Sequence, residues 1–430
     1  MEPKKIHFVG IGGAGISAVA AFAKNAGFQI SGCDLDTTSP FLASLKKESV
    51  EILSNHDPKH LEGIEIVVVS PAIESLDPRN SEIAEANKRN IPVVIGEKFL
   101  ADYLLKDKKV IAVSGTHGKS TTTAMIGKIL EDAAFDPSVL VGALVSDWGR
   151  NYRIGKSAYF VLEADEYQEK FLLYSPYISV ITAVEMDHPE YFKDLDQIRR
   201  SFSQFINNTQ PHGKVVIGKN VELDKERTDQ LKLGKDFEIR NFNLKLIGEF
   251  NQENATLAFE VARLLGVAEQ PARASLEAFR GVGRRFEFRG EEKGIKVFDD
   301  YGHHPTAVRL TAQAAREKFP DQRIWLVYQP HMYSRTKYLE KDFVETFNNL
   351  PVDQIILVDI FAARQENKEN ISSRDVVEQV SKDSVRYIGD FESTANYLIE
   401  NLHDGAIVIN MGAGDIYKLS GILLEKLKTN

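Results

Sequence analysis

The stretch VIAVSGTHGKSTTTAM, residues 110–125, combines an apolar run, a glycine-containing loop and a helical pattern. It contains Gly118-Lys119-Ser120, the residues that end a phosphate-binding P-loop. The usual spacing requires a first glycine at position 113, where this chain has Val113. Within the stretch, the only earlier glycine is Gly115. Two interpretations follow: a loop for a nucleotide triphosphate, or an ordinary helix start that happens to contain Gly-Lys-Ser.

The order strand, loop, helix is the context that a P-loop requires. In such a loop Lys119 reaches the β- and γ-phosphates of the nucleotide, and the Ser120 hydroxyl ligates Mg²⁺. Thr121 and Thr122 fall in the first helical turn, where backbone N–H groups and hydroxyls are expected to face an anion. The stretch therefore favours phosphoryl chemistry in spite of Val113.

Apolar runs and helical patterns alternate along the whole chain. Apolar runs without polar alternation suit parallel strands covered on both faces, and their alternation with helices predicts an α/β fold. The predicted strands cover 5–10, 65–70, 109–114, 159–164, 177–184, 323–329, 354–360 and 405–412. The predicted helices cover 15–26, 81–90, 119–133, 252–265 and 305–318.

Two boundaries divide the chain into three predicted domains. One is the charged segment LLKDKK at 104–109, and the other lies near FRGVGRRFEFRG at 279–290. The prediction is a Rossmann-like N-terminal domain, a P-loop ATPase-like central domain and a Rossmann-like C-terminal domain. Their predicted ranges are 1–106, 107–282 and 283–430.

The composition excludes several classes of function. The 430 residues carry a net charge of −9, which argues against binding to nucleic acid or to an anionic membrane. Cys33 is the only cysteine, so an intrachain disulfide and a cysteine metal cluster are excluded. The apolar runs have strand length, and the chain enters a predicted strand without room for a signal peptide. We expect a cytoplasmic protein that does not bind membranes.

A second glycine-rich turn lies in HFVGIGGAGISAVA, residues 7–20. Gly10, Gly12 and Gly15 form the pattern G-x-G-x-x-G between a predicted strand and a predicted helix, so that backbone N–H groups face a phosphate. Asp34 ends the next strand, where dinucleotide enzymes place the acid that binds ribose. Taken alone, this pattern indicates a binding site for NAD. A hydride-transfer enzyme needs no triphosphate loop, however, so the two loops together favour a phosphorylated substrate at this turn.

With these motifs in place, the sequence resembles the Mur ligases. GTHGKSTTT is similar to the ATP loop of that family, in which Gly-Thr-His/Asn-Gly-Lys-Thr/Ser replaces the ordinary spacing. The other matching stretches, in chain order, are GIGGAGISA, LEADEYQEKF, AVEMDH (183–188), GVGRRFEF (281–288), DDYGHHPTAV (299–308), QPHMYSRT (329–336) and GAGDI (412–416). Together they span nearly the whole chain.

The order of the motifs is most similar to the branch that joins L-alanine to UDP-N-acetylmuramate in peptidoglycan precursor synthesis. The resemblance implies that ATP phosphorylates the sugar-linked carboxylate to an acyl phosphate, which the amino group then attacks as phosphate leaves. It also implies that the three domains bind the UDP-sugar, ATP and the amino acid in that order. A related ligase for another amino acid or a recycled peptide stays open, as does a regulator that uses ATP only to change domain angles. We expect the protein to be a monomer or a homodimer.

The resemblance assigns residues to the two nucleotide ligands. The implied UDP-sugar contacts are Gly12, Gly13, Ala14, Gly15, Ile16, Ser17, Asp34 and Ser70. The implied ATP contacts are Gly115, Thr116, His117, Gly118, Lys119, Ser120, Thr121, Asn251, Arg284 and Asp299. The stretch GEFNQENATLA around Asn251 is interpreted as an Asn-rich turn before a helix, with Phe250 where the family commonly has histidine.

Two Mg²⁺ ions are also implied, and Mn²⁺ could serve because histidine is an unusual ligand for Mg²⁺. Glu163, in LEADE at the end of a predicted strand, would bind one ion together with Ser120. His188 would contact a second ion between the γ-phosphate and the carboxylate. From the residues alone, Glu163 could equally belong to a solvated loop, and a lone histidine such as His188 is more often structural than a ligand. The implied catalytic residues are Lys119, His188, Arg284 and His303.

Two stretches, DDYGHHPT and QPHMYSRT, imply the amino-acid site. The residues assigned to it are Tyr301, His303, His331 and Arg335. His303 would accept the proton of the incoming ammonium group, since we expect its pKa to be near neutral. Met332 stands where the family usually has an arginine that holds the amino-acid carboxylate. Either Arg335 takes over that carboxylate, or the chain uses a different amino acid.

Overall fold

Three β-sheets organise the chain. The structure, a computed structural model, describes residues 4–223, 230–363 and 365–429. These residues form two compact units. The first unit comprises Met1–Val184, Arg199–Asn243 and Asn254–Gly281 and contains two of the sheets. The second comprises Glu185–Ile198, Leu244–Glu253 and Val282–Asn430 and contains the third.

The first sheet is fully parallel, with the strand order β3-β2-β1-β4-β5. Its strands are β1 (Lys5–Val9), β2 (Gln29–Asp34), β3 (Glu51–Ser54), β4 (Ile66–Val69) and β5 (Val93–Ile95). The helices of this region are α1 (Ala14–Asn25), α2 (Ala43–Lys47), α3 (Pro71–Leu76), α4 (Ser81–Lys88) and α5 (Gly96–Phe99), with short turns at Pro40–Leu42, Pro58–Leu61 and Leu100–Leu104. The strand order reverses between β1 and β4, which is where open α/β sheets bind ligands.

The second sheet has the order β12-β11-β10-β6-β9-β7-β8 and is parallel except for the β7–β8 pair. Its strands are β6 (Lys109–Ser114), β7 (Ser138–Val145), β8 (Arg150–Arg153), β9 (Tyr159–Glu163), β10 (Ile178–Ile181), β11 (Lys214–Ile217) and β12 (Gln230–Lys232). The helices that follow along the chain are α6 (Lys119–Asp132), α7 (Leu195–Asn207), α8 (Glu249–Leu264) and α9 (Glu269–Ala278), with a turn at Tyr167–Leu173.

The third sheet has the order β13-β14-β18-β15-β16-β17, and only the β13–β14 hairpin is antiparallel. Its strands are β13 (Glu287–Glu292), β14 (Ile295–Asp300), β15 (Ile324–Tyr328), β16 (Gln354–Val358), β17 (Val385–Gly389) and β18 (Ile407–Met411). Its helices are α10 (Pro305–Lys318), α11 (Tyr333–Tyr338), α12 (Glu340–Asn349), α13 (Ser373–Glu378), α14 (Phe391–Asn401) and α15 (Tyr417–Thr429). Separate apolar clusters cover its two faces, so the central strands are buried on both sides.

The predicted α/β fold is confirmed, since every predicted strand and helix overlaps an observed one. One local interpretation is wrong: the Asn-rich stretch is not a turn, because α8 already begins at Glu249 and Asn251 lies in its first turn. Each sheet falls within one of the predicted domains 1–106, 107–282 and 283–430, whose boundaries stay a prediction. Among the described residues, no helix is long and apolar enough to cross a membrane.

The first two sheets contact each other through a buried tyrosine. Tyr152 on β8 is fully buried, and its ring lies edge-on to that of Phe22 on α1, with 5.9 Å between the ring centroids. Its hydroxyl donates a hydrogen bond to Ser44 Oγ over 3.0 Å. The side chain therefore combines apolar burial with a polar contact inside the first unit.

We expect Tyr152→Ala to lower the free energy of unfolding by about 3–5 kcal/mol, because it leaves a cavity between the two sheets. Tyr152→Phe removes only the hydroxyl contact and should lower it by about 1 kcal/mol. Urea unfolding of the full chain, followed by circular dichroism, measures both. Tyr338→Ala is the control, since Tyr338 is exposed; equal losses for all three variants would contradict the packing argument.

Candidate active site

Position 113 lies inside strand β6 and not in the loop. Val113 is fully buried and pairs with Val180 on one side and Glu163 on the other. The loop begins only after Ser114, and α6 begins at Lys119. A glycine at 113 would weaken a central strand. The loop is therefore shorter than in an ordinary P-loop, and position 113 belongs to the strand, where valine fits and glycine is not needed.

The loop is shaped by its own two glycines. Gly115 and Gly118 have φ angles of 137° and 81°, a region that favours glycine. A Cβ atom on Gly118 would also collide with the Asn254 amide group. The N–H of Thr116 donates to the Ala183 carbonyl over 2.9 Å, which ties the loop to the segment after β10. The loop is thus fixed at both ends.

Lys119 is held by the carboxylate of Glu166, three residues after β9. Its Nζ lies 2.7 Å from Glu166 Oε2 and donates to the Gly115 carbonyl over 2.6 Å. Burial alone would lower the pKa of Lys119, but the carboxylates of Glu166 and Asp165 outweigh it and raise that pKa above its usual value. Lys119 therefore carries its positive charge. No motif predicts the partner of this lysine, although Glu166 belongs to the acidic stretch LEADE.

Two oxygen donors meet beside the loop. Ser120 Oγ donates to Glu163 Oε1 over 3.0 Å, and the Gly142 N–H donates to Glu163 Oε2 over 2.6 Å. The structure therefore brings together the two predicted ligands of the first Mg²⁺, and a hydroxyl and a carboxylate are oxygen ligands of the kind that this ion prefers. Thr122 is different: it is buried and donates to Asn254 Oδ1 over 3.2 Å, so the expectation that it faces an anion is wrong.

The glycine-rich turn of the first sheet follows β1. The N–H groups of Gly10 and Ile11 donate to the Cys33 carbonyl over 2.9 and 3.1 Å. The Gly12 N–H donates to Asp34 Oδ2 over 2.7 Å, so the predicted ribose-binding acid also fixes the turn. A Cβ atom on Gly12 would lie 2.8 Å from the same carboxylate oxygen.

The other predicted UDP-sugar contacts divide into two groups. Gly13, Ala14 and Gly15 lie on the turn and the start of α1, with Gly15 exposed. Ile16 and Ser17 are buried in the helix, where Ser17 Oγ donates to the Ala14 carbonyl over 3.0 Å. Ser70 directly follows the neighbouring strand β4, and its N–H donates to the Val9 carbonyl over 2.9 Å.

A buried ion pair organises the candidate site in the second unit. Arg335 Nε donates to Asp187 Oδ1 over 2.8 Å, and both side chains are almost completely buried. Burial favours the neutral acid, but the guanidinium of Arg335 outweighs it and holds the pKa of Asp187 well below its usual range. Arg335 Nη1 also donates to His331 Nδ1 over 3.1 Å. Two of the three guanidinium nitrogens are therefore already engaged.

The hydrogen bonds of His303 indicate its tautomer. Its Nδ1 lies 3.2 Å from the Tyr301 carbonyl, which only accepts, so the neutral ring carries its proton on Nδ1. The basic nitrogen is then Nε2, 3.9 Å from Asp187 Oδ2. Burial and the nearby Arg335 lower the pKa of His303 to about 4. The expectation of a near-neutral pKa is therefore wrong, and the ring is neutral at physiological pH.

The paired histidines of DDYGHHPT have different environments. His304 Nδ1 accepts from the Thr306 N–H over 3.3 Å and so caps α10, while its Nε2 lies 3.1 Å from the Met186 carbonyl. Pro305 is the first residue of α10, as predicted. His304 therefore has a structural position, and His303 is the histidine beside the ion pair.

Met332 is buried at the start of α11 with a φ angle of 70°. Its Sδ lies 4.0 Å from Arg335 Nη1, and His331 stacks on the Phe361 ring with 5.6 Å between the ring centroids. Met332 therefore packs on Arg335 and provides no charge of its own. Among the described residues, Arg335 Nη2 makes no hydrogen bond, which leaves this nitrogen for a carboxylate.

Arg284 is held against the loop after β18. Its Nη2 donates to the carbonyls of Gly412 and Gly414 over 2.5 and 3.0 Å. Its guanidinium lies over the Tyr301 ring, 5.0 Å from the centroid, and burial lowers its pKa. The predicted catalytic arginine and the predicted amino-acid contact Tyr301 are thus neighbours.

The remaining predicted site residues of the second unit have local partners. His188 has a φ angle of 55°, and its Nδ1 lies 3.3 Å from Glu190 Oε1. Asn251 Nδ2 donates to the Ile247 carbonyl over 2.7 Å. Asp299 is buried against Ser420, and burial raises its pKa to about 6. Its other oxygen, Oδ2, lies 3.2 Å from Arg289 Nε.

Fold and site together define a nucleotide-dependent α/β enzyme: one sheet carries a lysine-bearing phosphate loop and another a glycine-rich turn. Comparison with known families is more specific. The model of the Mur ligase family, catalytic domain, matches residues 5–108, that of the Mur ligase middle domain matches 113–235, and that of the Mur ligase, glutamate ligase domain, matches 284–414.

Relatives match along the full length. A protein of Caldanaerobacter subterraneus subsp. tengcongensis, named UDP-N-acetylmuramate–L-alanine ligase, is 38% identical, with 99% of this chain and 98% of the relative covered. The structure of UDP-N-acetylmuramate-alanine ligase MurC from Thermotoga maritima is 27% identical, with a TM-score of 0.79 and 99% of both chains covered. A murein peptide ligase from Psychrobacter arcticus, 22% identical with a TM-score of 0.72 and 99% of both chains covered, shares the fold.

The chain therefore belongs to the Mur ligase family, and it has that family's three-domain α/β fold. The family is ATP-dependent, which agrees with the phosphate loop around Lys119.

Replacing Asp187 by asparagine should lower the free energy of unfolding by about 3–5 kcal/mol near neutral pH, because it leaves the Arg335 charge buried and unpaired. The folded pKa of Asp187 is depressed, so its contribution is present above the unfolded value of about 4 and is lost as pH falls below it. The difference between wild type and variant should therefore be constant above about pH 5 and shrink below about pH 4.

Urea unfolding at a series of pH values measures this difference. Glu392→Gln is the matched control, since Glu392 forms an exposed pair with Lys426 and its loss should change stability by less than about 1 kcal/mol. A pH-independent difference for Asp187→Asn would contradict the assigned role of the ion pair.

Proposed function

We propose that this protein joins L-alanine to the carboxylate of UDP-N-acetylmuramate at the expense of ATP, in peptidoglycan precursor synthesis. The observation that carries the proposal is the full-length similarity to ligases of that name, which reaches 38% identity in the protein of Caldanaerobacter subterraneus subsp. tengcongensis. The short phosphate loop with its engaged lysine and serine supports it independently. ATP would phosphorylate the carboxylate, and the amine would displace phosphate from the acyl phosphate.

ATP would bind along the loop 115–121. The negative charge of its phosphates would replace the carboxylate of Glu166 as the partner of Lys119, whose ammonium group is already within the loop. The N-terminus of α6 points its free N–H groups at the same region. The positive charge of Lys119 and the helix N-terminus would stabilise the negative charge that builds up on the transferred phosphoryl group in the transition state.

Mg²⁺ fits the oxygen donors beside the loop. Ser120 and Glu163 would hold one ion, and His188 would contribute to a second, with Mn²⁺ as a possible replacement at the histidine. When bound, such ions neutralise charge on the phosphate oxygens. The Gly142 N–H fixes the Glu163 carboxylate so that its other oxygen faces Ser120.

The amino acid would bind beside the ion pair of the second unit. Arg335 Nη2 would contact its carboxylate, since Nε and Nη1 are held by Asp187 and His331. The neutral Nε2 of His303 would accept the proton that the amine loses as it attacks. Tyr301, stacked under Arg284, would border the same pocket. The UDP-sugar would lie at the glycine turn of the first sheet, with its phosphates on the N–H groups of α1.

A ligase that attaches a recycled peptide to the same sugar is the second candidate. The likeness to the murein peptide ligase structure supports it only at the level of the fold, because the identity is 22%. Met332, which replaces the expected arginine, keeps a different amino acid possible as well.

Phosphate release from ATP, measured with UDP-N-acetylmuramate and one amino acid or peptide at a time, tests the proposal. We expect release with L-alanine, and no release when either the sugar nucleotide or the amino acid is omitted. Release only with a recycled peptide would support the second candidate. No release with any substrate would overturn the assignment to a ligase reaction.

His303→Ala should lower kcat about 10²- to 10⁴-fold, because a general base is removed from the amine. Because the pKa of His303 is lowered to about 4, this histidine does not change its charge near pH 6.5. The pH profiles of kcat for the wild type and the variant should therefore have the same shape near pH 6.5. Steady-state rates against pH measure both effects. His403→Ala, which changes an exposed histidine, is the control. A normal kcat for His303→Ala would show that His303 is not the proton acceptor.

A further inference from the structure

A cluster of metal-ligand side chains lies away from the candidate active site, at the first sheet. Glu82, in the first turn of α4, is completely buried, as are His7 on β1 and Cys33 on β2. His60, on the turn Pro58–Leu61, and His56, after β3, complete the group and are mostly buried. Two strands, one turn and one loop thus converge on a carboxylate carried by α4.

The distances within the cluster are short. His60 Nδ1 lies 2.7 Å and His7 Nε2 3.4 Å from Glu82 Oε1. On the other oxygen, Oε2, Cys33 Sγ lies at 2.9 Å and His56 Nδ1 at 3.2 Å. The donor atoms of His7, Cys33, His60 and Glu82 all lie within 4.8 Å of one another.

Parallel pairing places two of these donors on one face. The register pairs His7 with Ser31 and Val9 with Cys33, so His7 and Cys33 point to the same side of the sheet. That side packs against α4, since Cys33 and Val9 belong to one apolar cluster with Ala86. Glu82 lies on the same helix, which brings its carboxylate over the strands.

Two further observations point to a ligand. His7 Nδ1 is bonded to Ser31 Oγ over 2.8 Å, while its completely buried Nε2, which faces Glu82, makes no hydrogen bond among the described residues. Moreover, every ion-pair partner of Glu82 within the described ranges is a histidine. A buried carboxylate requires a compensating positive charge. Among the residues that the structure describes, no lysine or arginine forms an ion pair with Glu82.

We propose that this cluster binds one Zn²⁺ ion through Cys33 Sγ, His7 Nε2, His60 Nδ1 and a carboxylate oxygen of Glu82, with His56 as an adjacent donor. Thiolate, imidazole and carboxylate are the ligands that Zn²⁺ takes in four-coordinate sites. On binding, the Cys33 thiol loses its proton to solvent and the sulfur bonds to the metal, while the histidines bind as neutral ligands.

The site is distinct from a cysteine metal cluster, which a single cysteine excludes, and it is separate from the loop that carries Lys119. Its place in the fold suggests what it does. The Cys33 carbonyl accepts the hydrogen bonds of Gly10 and Ile11, and the next residue, Asp34, accepts that of Gly12. Metal at Cys33 would therefore fix the end of β2 and, through it, the glycine-rich turn.

Cobalt titration of the full chain gives a direct test. Co²⁺ in a tetrahedral site with a thiolate ligand shows a thiolate-to-cobalt charge-transfer band together with visible d–d bands. Because Cys33 is the only cysteine, such a band has only one origin. We expect one equivalent of Co²⁺ to produce both features and Zn²⁺ to displace it. Cobalt at oxygen ligands near Ser120 would give no thiolate band. A wild-type titration without that band would overturn the proposal and indicate a hydrogen-bonded cluster only.

Variants locate the ligands. Cys33→Ser should abolish the charge-transfer band, and His60→Ala should weaken Co²⁺ binding at least 10-fold, in the range found for changes around metal sites. His403→Ala, at an exposed histidine, should leave both unchanged. Circular dichroism checks that each variant is folded, and a band that persists in Cys33→Ser would contradict the assignment. Because the readout is spectroscopic, failure of the ligase assay would not affect it.

Discussion

Parallel strand pairing is the constraint on which the rest of the structure depends. In each sheet the carboxyl ends of the parallel strands meet at one edge, where side chains and backbone N–H groups from distant parts of the sequence come together. The loop after β6 meets the acidic end of β9 in this way. The glycine turn after β1 meets Asp34 at the end of β2 for the same reason. The phosphate loop, Glu163 and Asp34 therefore lie at the carboxyl ends of parallel strands.

Buried charge is the second organising feature, and each unit handles it with an ion pair. Lys119 is neutralised by Glu166 in the first unit, and Arg335 by Asp187 in the second. Both cations are desolvated, so each is strongly attracted to an anionic ligand that offers better geometry than its present partner. A phosphate and an amino-acid carboxylate are such ligands. Polar preorganisation of this kind keeps the cation charged and positioned before the ligand arrives.

The sequence predicted the fold well, because long apolar runs and glycine-flanked helices are local signals. The family resemblance also implied that Ser120 and Glu163 come together, and they do so at the start of α6 and the end of β9. Prediction from the sequence failed where the answer depended on burial. The pKa of His303 and the inward position of Thr122 follow from packing that no local pattern encodes. The capping role of His304 beside His303 likewise depends on which side of the chain faces α10.

The Glu82 cluster shows that the number of cysteines alone does not decide whether a chain can bind a metal ion. One cysteine in the chain is enough to exclude a disulfide, but a mixed metal site needs only one sulfur when histidines and a carboxylate supply the rest. Its donors are separated by up to 75 positions between His7 and Glu82, so no spacing motif joins them. Only the register of β1 with β2 and the placement of α4 over that face bring them together. A site assembled from four segments has a fixed geometry only when the sheet is folded, and a metal bound there would stabilise the fold that forms it.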